Sequence, residues 1–187
     1  TGTACGLGVE GSGWVAGPGV VVTNAHVVAG QEDTSVQVAG EGASLDAEAI
    51  AYDPRNDVAV LRVEGLSAPE LPLAEDPDSG TSGAILGFPE NGPYDVRAAR
   101  IGATRNVRSE DAYGRGPVER PMTPIRGIVR SGNSGGPVVD GEGRVLTTVF
   151  AATVGGRMRA GFGVPNDVVR ETLQRADGPV DTGPCAR

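Results

Sequence analysis

Ser131-Gly132-Asn133-Ser134-Gly135-Gly136-Pro137 surrounds one serine with backbone that can approach a substrate closely. Gly132, Gly135 and Gly136 lack a Cβ, so the turn can take dihedrals closed to other residues and aim successive amide hydrogens into one pocket, as an oxyanion requires. A serine hydroxyl is a poor nucleophile unless a base lies within hydrogen-bond reach. The chain has one histidine, His26, where the β-branched run Val20-Val21-Val22-Thr23 gives way to Asn24-Ala25-His26-Val27-Val28 at the end of a predicted strand. Lysine cannot substitute, because all 16 basic residues are arginine. A third group must fix the imidazole tautomer, and Asp53-Pro54-Arg55-Asn56-Asp57-Val58-Ala59-Val60-Leu61-Arg62-Val63 offers one at the mouth of an apolar strand. Asp57 directly precedes that strand, whereas Asp53 stands before a proline in turn-like sequence.

Each block has an ordinary explanation when taken singly: Ser134 as a hydroxyl in a glycine turn, His26 as a core histidine, Asp57 as a carboxylate capping a turn. Together they make a nucleophile, a base and an orienting acid. Gly132-Asn133-Ser134-Gly135-Gly136 also fits the G-x-S-x-G elbow of an α/β-hydrolase esterase. That fold runs serine, acid, histidine, the reverse of the order here, and needs long helices between its strands. Gly6-Leu7-Gly8-Val9-Glu10-Gly11 matches a dinucleotide fingerprint without the flanking strand and helix, so it reads as a glycine-rich strand or bulge. Asp76-Pro77-Asp78-Ser79-Gly80 lacks the later ligands of a calcium loop and reads as a linker turn. No metal and no cofactor is expected.

Thr23-Asn24-Ala25-His26-Val27-Val28, Asn56-Asp57-Val58-Ala59-Val60-Leu61 and Gly132-Asn133-Ser134-Gly135-Gly136-Pro137 together resemble the three catalytic blocks of trypsin-like serine proteases, in particular their bacterial HtrA-like branch. Gly11-Ser12-Gly13-Trp14-Val15 and Gly161-Phe162-Gly163-Val164-Pro165 extend the likeness over most of the chain. The cysteine placement, Tyr52-Asp53-Pro54 and Asp111-Ala112-Tyr113-Gly114 are similar to an actinobacterial group of membrane-anchored periplasmic proteases linked to acid resistance. The resemblance implies a serine endopeptidase acting on protein or peptide substrates, with His26, Asp57 and Ser134 as triad and the amides of Gly132 and Ser134 as oxyanion hole. It places Ile128 near the floor of the specificity pocket and Phe150, Ala151 and Ala152 on its wall, which implies an apolar residue before the scissile bond. It also implies a periplasmic or cell-envelope location, work under acid or oxidative stress, and a membrane tether in segments outside this chain. Asn133 stands where trypsins carry an Asp that pairs with a freed amino terminus, so activation through Thr1 is not expected. The competing class is a catalytically silent binding or scaffold domain that keeps a protease fold.

Cys5 and Cys185 are poorly spaced for a metal site and well spaced for a staple across the chain, so one disulfide is expected over two unrelated thiols. Such a bond implies an oxidising compartment. With 24 acidic against 16 basic residues the formal charge is −8, which repels phosphate backbones and argues against nucleic acid. No stretch approaches the roughly twenty apolar residues of a membrane span, and the first residues lack the charged and apolar regions of a signal peptide.

The 187 residues, with 30 Gly and 14 Pro between short Val, Ile and Leu blocks, give an all-β pattern of many turns. Val20 to Thr23, Val36 to Ala39, Ala47 to Tyr52 and Val58 to Val63 make a first antiparallel barrel. Gly65 to Ser82, apart from Leu71-Pro72-Leu73, reads as the crossing between barrels. Ala84 to Gly87, Val96 to Ala103, Pro124 to Val129, Val138 to Val139, Val145 to Thr153 and Met158 to Val164 make a second, and the charged stretch Arg105 to Pro121 reads as a mobile surface loop. Asn166 or Asp167 caps a short helix through Arg175, ended by Asp177-Gly178-Pro179. The expected architecture is two chymotrypsin-like barrels of six-stranded type in one domain: 1–74 with an N-terminal extension, 75–165, then a C-terminal helix and tail over 166–187. Its cleft would receive His26 and Asp57 from one barrel and Ser134 from the other.

Overall fold

The computed structural model of the protein describes residues 1–152 and 160–186. A hairpin of β1 (Gly2–Ala4) and β2 (Leu7–Val9) opens the chain, turning at Cys5 and Gly6. β3 (Trp14–Gly17), β4 (Val20–Thr23), β5 (Ser35–Gln37), β6 (Ser44–Asp53) and β7 (Val58–Val63) form an antiparallel sheet in the order β3-β4-β7-β6-β5. β7 lies between β4 and β6 with both faces covered, which is why it reads as a continuous apolar run. Its alternate residues enter different cores. Ala59, Leu61 and Val63 pack inside the first sheet, while Val58 and Val60 join Trp14, Val22, Val139, Val145, Val164 and Val169 in a core shared between the sheets. Each fully buried valine there stabilises the fold by about 1.5–3 kcal/mol.

The second sheet takes β8 (Ser82–Gly87), β9 (Asp95–Ile101), β10 (Arg105–Ser109), β11 (Val118–Gly127), β12 (Pro137–Val139), β13 (Val145–Ala152) and β14 (Ala160–Val164) in the order β10-β11-β14-β13-β12-β8-β9. β11 is long enough to pair with β10 through its first half and with both β9 and β14 through its second, and the β9 pairing closes six of these strands into a barrel. The first sheet stays a half-barrel of five strands: among the described residues no ladder joins β3 to β5. A cavity of about 260 Å³, lined in part by Val15, Val21, Val36, Leu61 and Leu66, opens along that seam. β5 is short because Ala39, at φ +52°, turns the chain into a 3-10 segment at Val38–Gly40.

Among the described residues two α-helices complete the fold, α1 (Ala25–Val28) and α2 (Asn166–Gln174). α2 lays Val168 and Val169 into the shared core, and Asn166 Nδ2 donates to the carbonyls of Ala74 and Val145. The tail then runs back over the first sheet, with Val180 N donating to Ala49 O and Cys185 bonded to Cys5 across 180 residues. On the chain-entropy account a closed loop of that length stabilises the fold by about 5 kcal/mol. No helix among the described residues is long and apolar enough to cross a membrane.

Arg105 to Pro121 differs from its reading as a loop. Its two ends pair as β10 and β11, from Arg105 opposite Met122 to Ser109 opposite Val118. The β10 side of this ribbon is largely exposed, and on the β11 side an arginine, Arg120, takes an inward position beside Met122, so the ladder forms without the apolar alternation that marks a half-buried strand. Of the expected strand ends, Thr153 and Met158 lie outside the described residues.

Candidate active site

β4 ends at Thr23, and the buried Asn24 turns the chain into α1 with its Nδ2 donating to Asp57 O at 2.8 Å. That bond ties the start of α1 to the β6–β7 turn. His26 N donates to Asp57 Oδ1 at 2.7 Å, and His26 Nδ1 lies 2.7 Å from Asp57 Oδ2. One carboxylate thus holds both the backbone and the ring of the same residue. Asp57 has no solvent exposure and accepts φ +61°, a left-handed conformation that aspartate tolerates better than most residues. With Nδ1–H donating to the carboxylate, the Nε2 edge keeps its lone pair, and the His26 side chain is 31% exposed. The sequence-predicted pair is brought together.

Ser134 lies on the loop between β11 and β12, flanked by Gly132 at φ +85° and Gly135 at φ +84°. A Cβ at Gly135 would collide with Ser12 O and Thr23 Oγ1 and come within 3.0 Å of Asn24 N. Glycine therefore lets the serine loop lie against the β4–α1 junction that carries His26. Ser12 N donates to Ser134 O at 2.8 Å, and Thr23 Oγ1 donates to Ser12 O at 2.8 Å, stitching the two barrels at this point. Ser134 Oγ donates to Phe150 O at 3.4 Å, and the Phe150 ring meets His26 edge-on with centroids 6.2 Å apart.

The loop fixes its amides by engaging the carbonyls that precede them. Ser131 O accepts from Glu90 N at 2.9 Å and Asn133 O from Gly136 N at 2.9 Å. In a trans peptide the N–H points opposite the C=O, so the Gly132 and Ser134 amides are directed away from those partners. Among the described residues neither donates a hydrogen bond. Between them Gly132 O accepts from Ser12 Oγ at 2.6 Å, and Ser12 Oγ accepts from Phe88 N at 3.0 Å. Asn133 braces the turn from within: its Oδ1 accepts from Arg130 N at 2.9 Å, and Arg130 Nη2 pairs with Asp95 at 2.6 Å. The Thr1 ammonium donates to Ser35 O, away from Asn133.

Ile128 is half-buried on the segment leading from β11 to the Ser134 loop. Ala151 and Ala152 stand opposite Phe162 and Gly161 in the β13–β14 ladder, and their side chains lie outside what is described. Sequence reasoning assigned no role to Ser12, Asn24 or Arg120. Ser12 and Asn24 sit inside quoted motifs, where their position was the available signal. Arg120 has no local signal, since nothing in its neighbours separates it from the surface arginines around it. No cluster suited to a metal ion occurs among the described residues.

A family model for the trypsin-like peptidase domain matches residues 11–146. The chain is 38% identical over 181 residues to serine protease Rv3671c of Mycobacterium tuberculosis, covering 95% of this chain and 45% of the relative. It is 33% identical to a probable periplasmic DegP-like serine endoprotease of Halomonas elongata, covering 92% of this chain and 36% of the relative. The chain thus spans less than half the length of the curated relatives it matches. The crystal structure of the active form of the M. tuberculosis Rv3671c protease superposes with a TM-score of 0.91 at 36% identity, covering 100% of this chain and 83% of that one.

Proposed function

The chain belongs to the trypsin-like peptidase family as a serine endopeptidase domain of the HtrA type, and we propose that it hydrolyses peptide bonds through His26, Asp57 and Ser134 by way of an acyl-enzyme. Ser134 Oγ leaves its weak contact with Phe150 O and attacks the substrate carbonyl as His26 Nε2 takes its proton. The negative oxygen that forms is met by the Gly132 and Ser134 amides, each typically worth about 3–4 kcal/mol of barrier. The imidazolium, held by Asp57, returns the proton to the departing amine. Water then repeats the sequence on the ester, with His26 again the base. The observation that carries this reading is the pair of 2.7 Å bonds from Asp57 to His26, which orients a free Nε2 on the seam where Gly135 seats the serine loop.

In this proposal the specificity pocket is assigned to Ile128, Phe150, Ala151 and Ala152, residue types that carry no charge of their own. Digestion of a mixed peptide library with and without fluorophosphonate pretreatment, read by mass spectrometry, tests both points. Expected are cuts after apolar residues that vanish on pretreatment, with the adduct on the peptide containing Ser134. Uninhibited cutting or an unlabelled Ser134 overturns the triad, and cuts mainly after Arg or Lys overturn the pocket.

Ser12 is a positioning residue for the oxyanion hole, because its hydroxyl fixes the peptide plane between the two catalytic amides. Ser12→Ala is expected to lower kcat about 10- to 100-fold with KM changed less than about threefold, since the lost strut serves an oxygen that is charged only in the transition state. Steady-state kinetics that show a rise in KM alone would remove this role.

Placement of the domain outside the cytoplasm is supported by the Cys5–Cys185 bond and by relatives named periplasmic. A role in acid or oxidative stress resistance and a membrane tether in segments outside this chain are supported by the family resemblance. The charge of −8 supports proteins or peptides as partners over nucleic acid.

A further inference from the structure

We infer that Arg120 is a positioning residue for this reaction: its buried guanidinium is a fixed counter-charge behind the His26–Asp57 pair and holds the Phe150 ring against the imidazole. Its kinetic consequence rests on the reading of His26 as the base. Arg120 is 2% exposed, and arginine is seldom so buried unless it is paired. Hydrogen bonding does not account for that burial. Nη2 donates to Ser109 Oγ at 3.3 Å, and among the described residues Nε has no partner.

Two other relations do account for it. The guanidinium carbon stands 4.0 Å from the centre of the Phe150 ring, a cation–π contact, and the same ring meets His26 edge-on. Together these distances bound the separation of guanidinium and imidazole at about 10 Å. Burial weakens the hold of Arg120 on its proton, and Asp57, Asp111 and Asp53, in that order, oppose the effect. Asp111 has Arg115 at 3.3 Å and Asp53 has Arg175 at 3.2 Å. Asp57, the most buried of the three, has among the described residues only His26, which must be neutral to act as base. Arg120 is the cation left for it.

Around His26 stand Asp57 from the β6–β7 turn, the uncharged Phe150 from β13, and Tyr52 from β6, whose hydroxyl donates to Ala25 O at 3.4 Å; Arg120 of β11 lies against Phe150, and Asp53 of β6 acts on Arg120. Asp111 and Tyr113 lie beyond Tyr52. Burial, with Tyr113 beside it, pushes the Tyr52 phenol well up, so it stays neutral. Arg120 is thus the fixed positive charge in this set that is not matched to a surface carboxylate. A positive charge there opposes a second one on the imidazole and favours the Asp57 carboxylate.

The single histidine makes this directly measurable, because one pair of imidazole resonances in an NMR titration belongs to His26. In Arg120→Met, and in Arg120→Gln as a second variant should the first not fold, the midpoint is expected to rise by about 0.5–1 pH unit. Arg120→Lys, which keeps the charge, should shift less than half as far. The acid limb of kcat should move by the same amount, with KM changed less than about threefold. An unchanged midpoint in a folded Met or Gln variant overturns the counter-charge. A wild-type chain without hydrolysis at any pH overturns the reading of His26 as base, and is distinguishable because the titration needs no turnover.

Discussion

Ser134→Ala is expected to lower kcat for a peptide substrate about 10⁶-fold while moving the thermal midpoint by less than about 2 °C. The two halves of this expectation have separate physical grounds. Ser134 Oγ makes one long contact, 3.4 Å to Phe150 O, and its residue is only half-buried, so its removal costs the fold little. The loop is held by groups the substitution leaves in place: Ser12 N on Ser134 O, Gly136 N on Asn133 O and Glu90 N on Ser131 O. The amides proposed as the oxyanion hole should therefore keep their direction and peptide binding should persist. What should disappear is the atom proposed to form the covalent bond, and with it the acyl-enzyme. A residual rate of about 10³ to 10⁴ over water is expected from the preserved amides and substrate binding. Single-turnover kinetics check the first half and calorimetry the second. A variant within a hundredfold of wild type would remove Ser134 from the chemistry, whereas loss of folding would make the hydroxyl structural.

The three blocks proposed as the triad are legible in the sequence because each is local: a β-branched strand running into a histidine, an Asp beside the start of an apolar strand, a serine between glycines. What lies between them is less so. Ser12 acts through a carbonyl 120 residues away, and Arg120 through a ring on another strand, so neither leaves a pattern within its own neighbourhood. The same limit explains Arg105 to Pro121. Pro121 and the flanking charges argue against a strand locally, yet Pro121 is accommodated opposite Asn106, an exposed position on the edge strand β10. The half-barrel is another tertiary outcome. Ala39 at φ +52° ends β5 after three residues, and nothing in Val36-Gln37-Val38-Ala39 announces a left-handed alanine. Where the β period of two is buried on both faces, as in β7, composition alone identified the strand.

Asp57→Asn should reduce kcat/KM about 10⁴-fold, the loss expected when an imidazole is held in the wrong tautomer. The geometry leaves asparagine no harmless arrangement. Asp57 accepts two hydrogen bonds from one residue, His26 N–H on Oδ1 and His26 Nδ1–H on Oδ2, each at 2.7 Å. Asparagine offers one acceptor and one donor. If its oxygen keeps the backbone N–H, its amide faces Nδ1 as a donor and the ring proton must move to Nε2, the edge that should receive the proton of Ser134. If the side chain flips, two donors meet at the backbone of His26 in a site with no exposure to water, which costs about 1–3 kcal/mol. Backbone strain is not a confounding cause, since asparagine tolerates the φ of +61° as aspartate does, and the Asn24 bond goes to the carbonyl of residue 57, not its side chain. The substitution thus isolates the carboxylate. Pre-steady-state kinetics should show acylation slowed by this factor with peptide affinity changed little, and an Asp57→Asn enzyme within tenfold of wild type would show that His26 acts without its orienting acid.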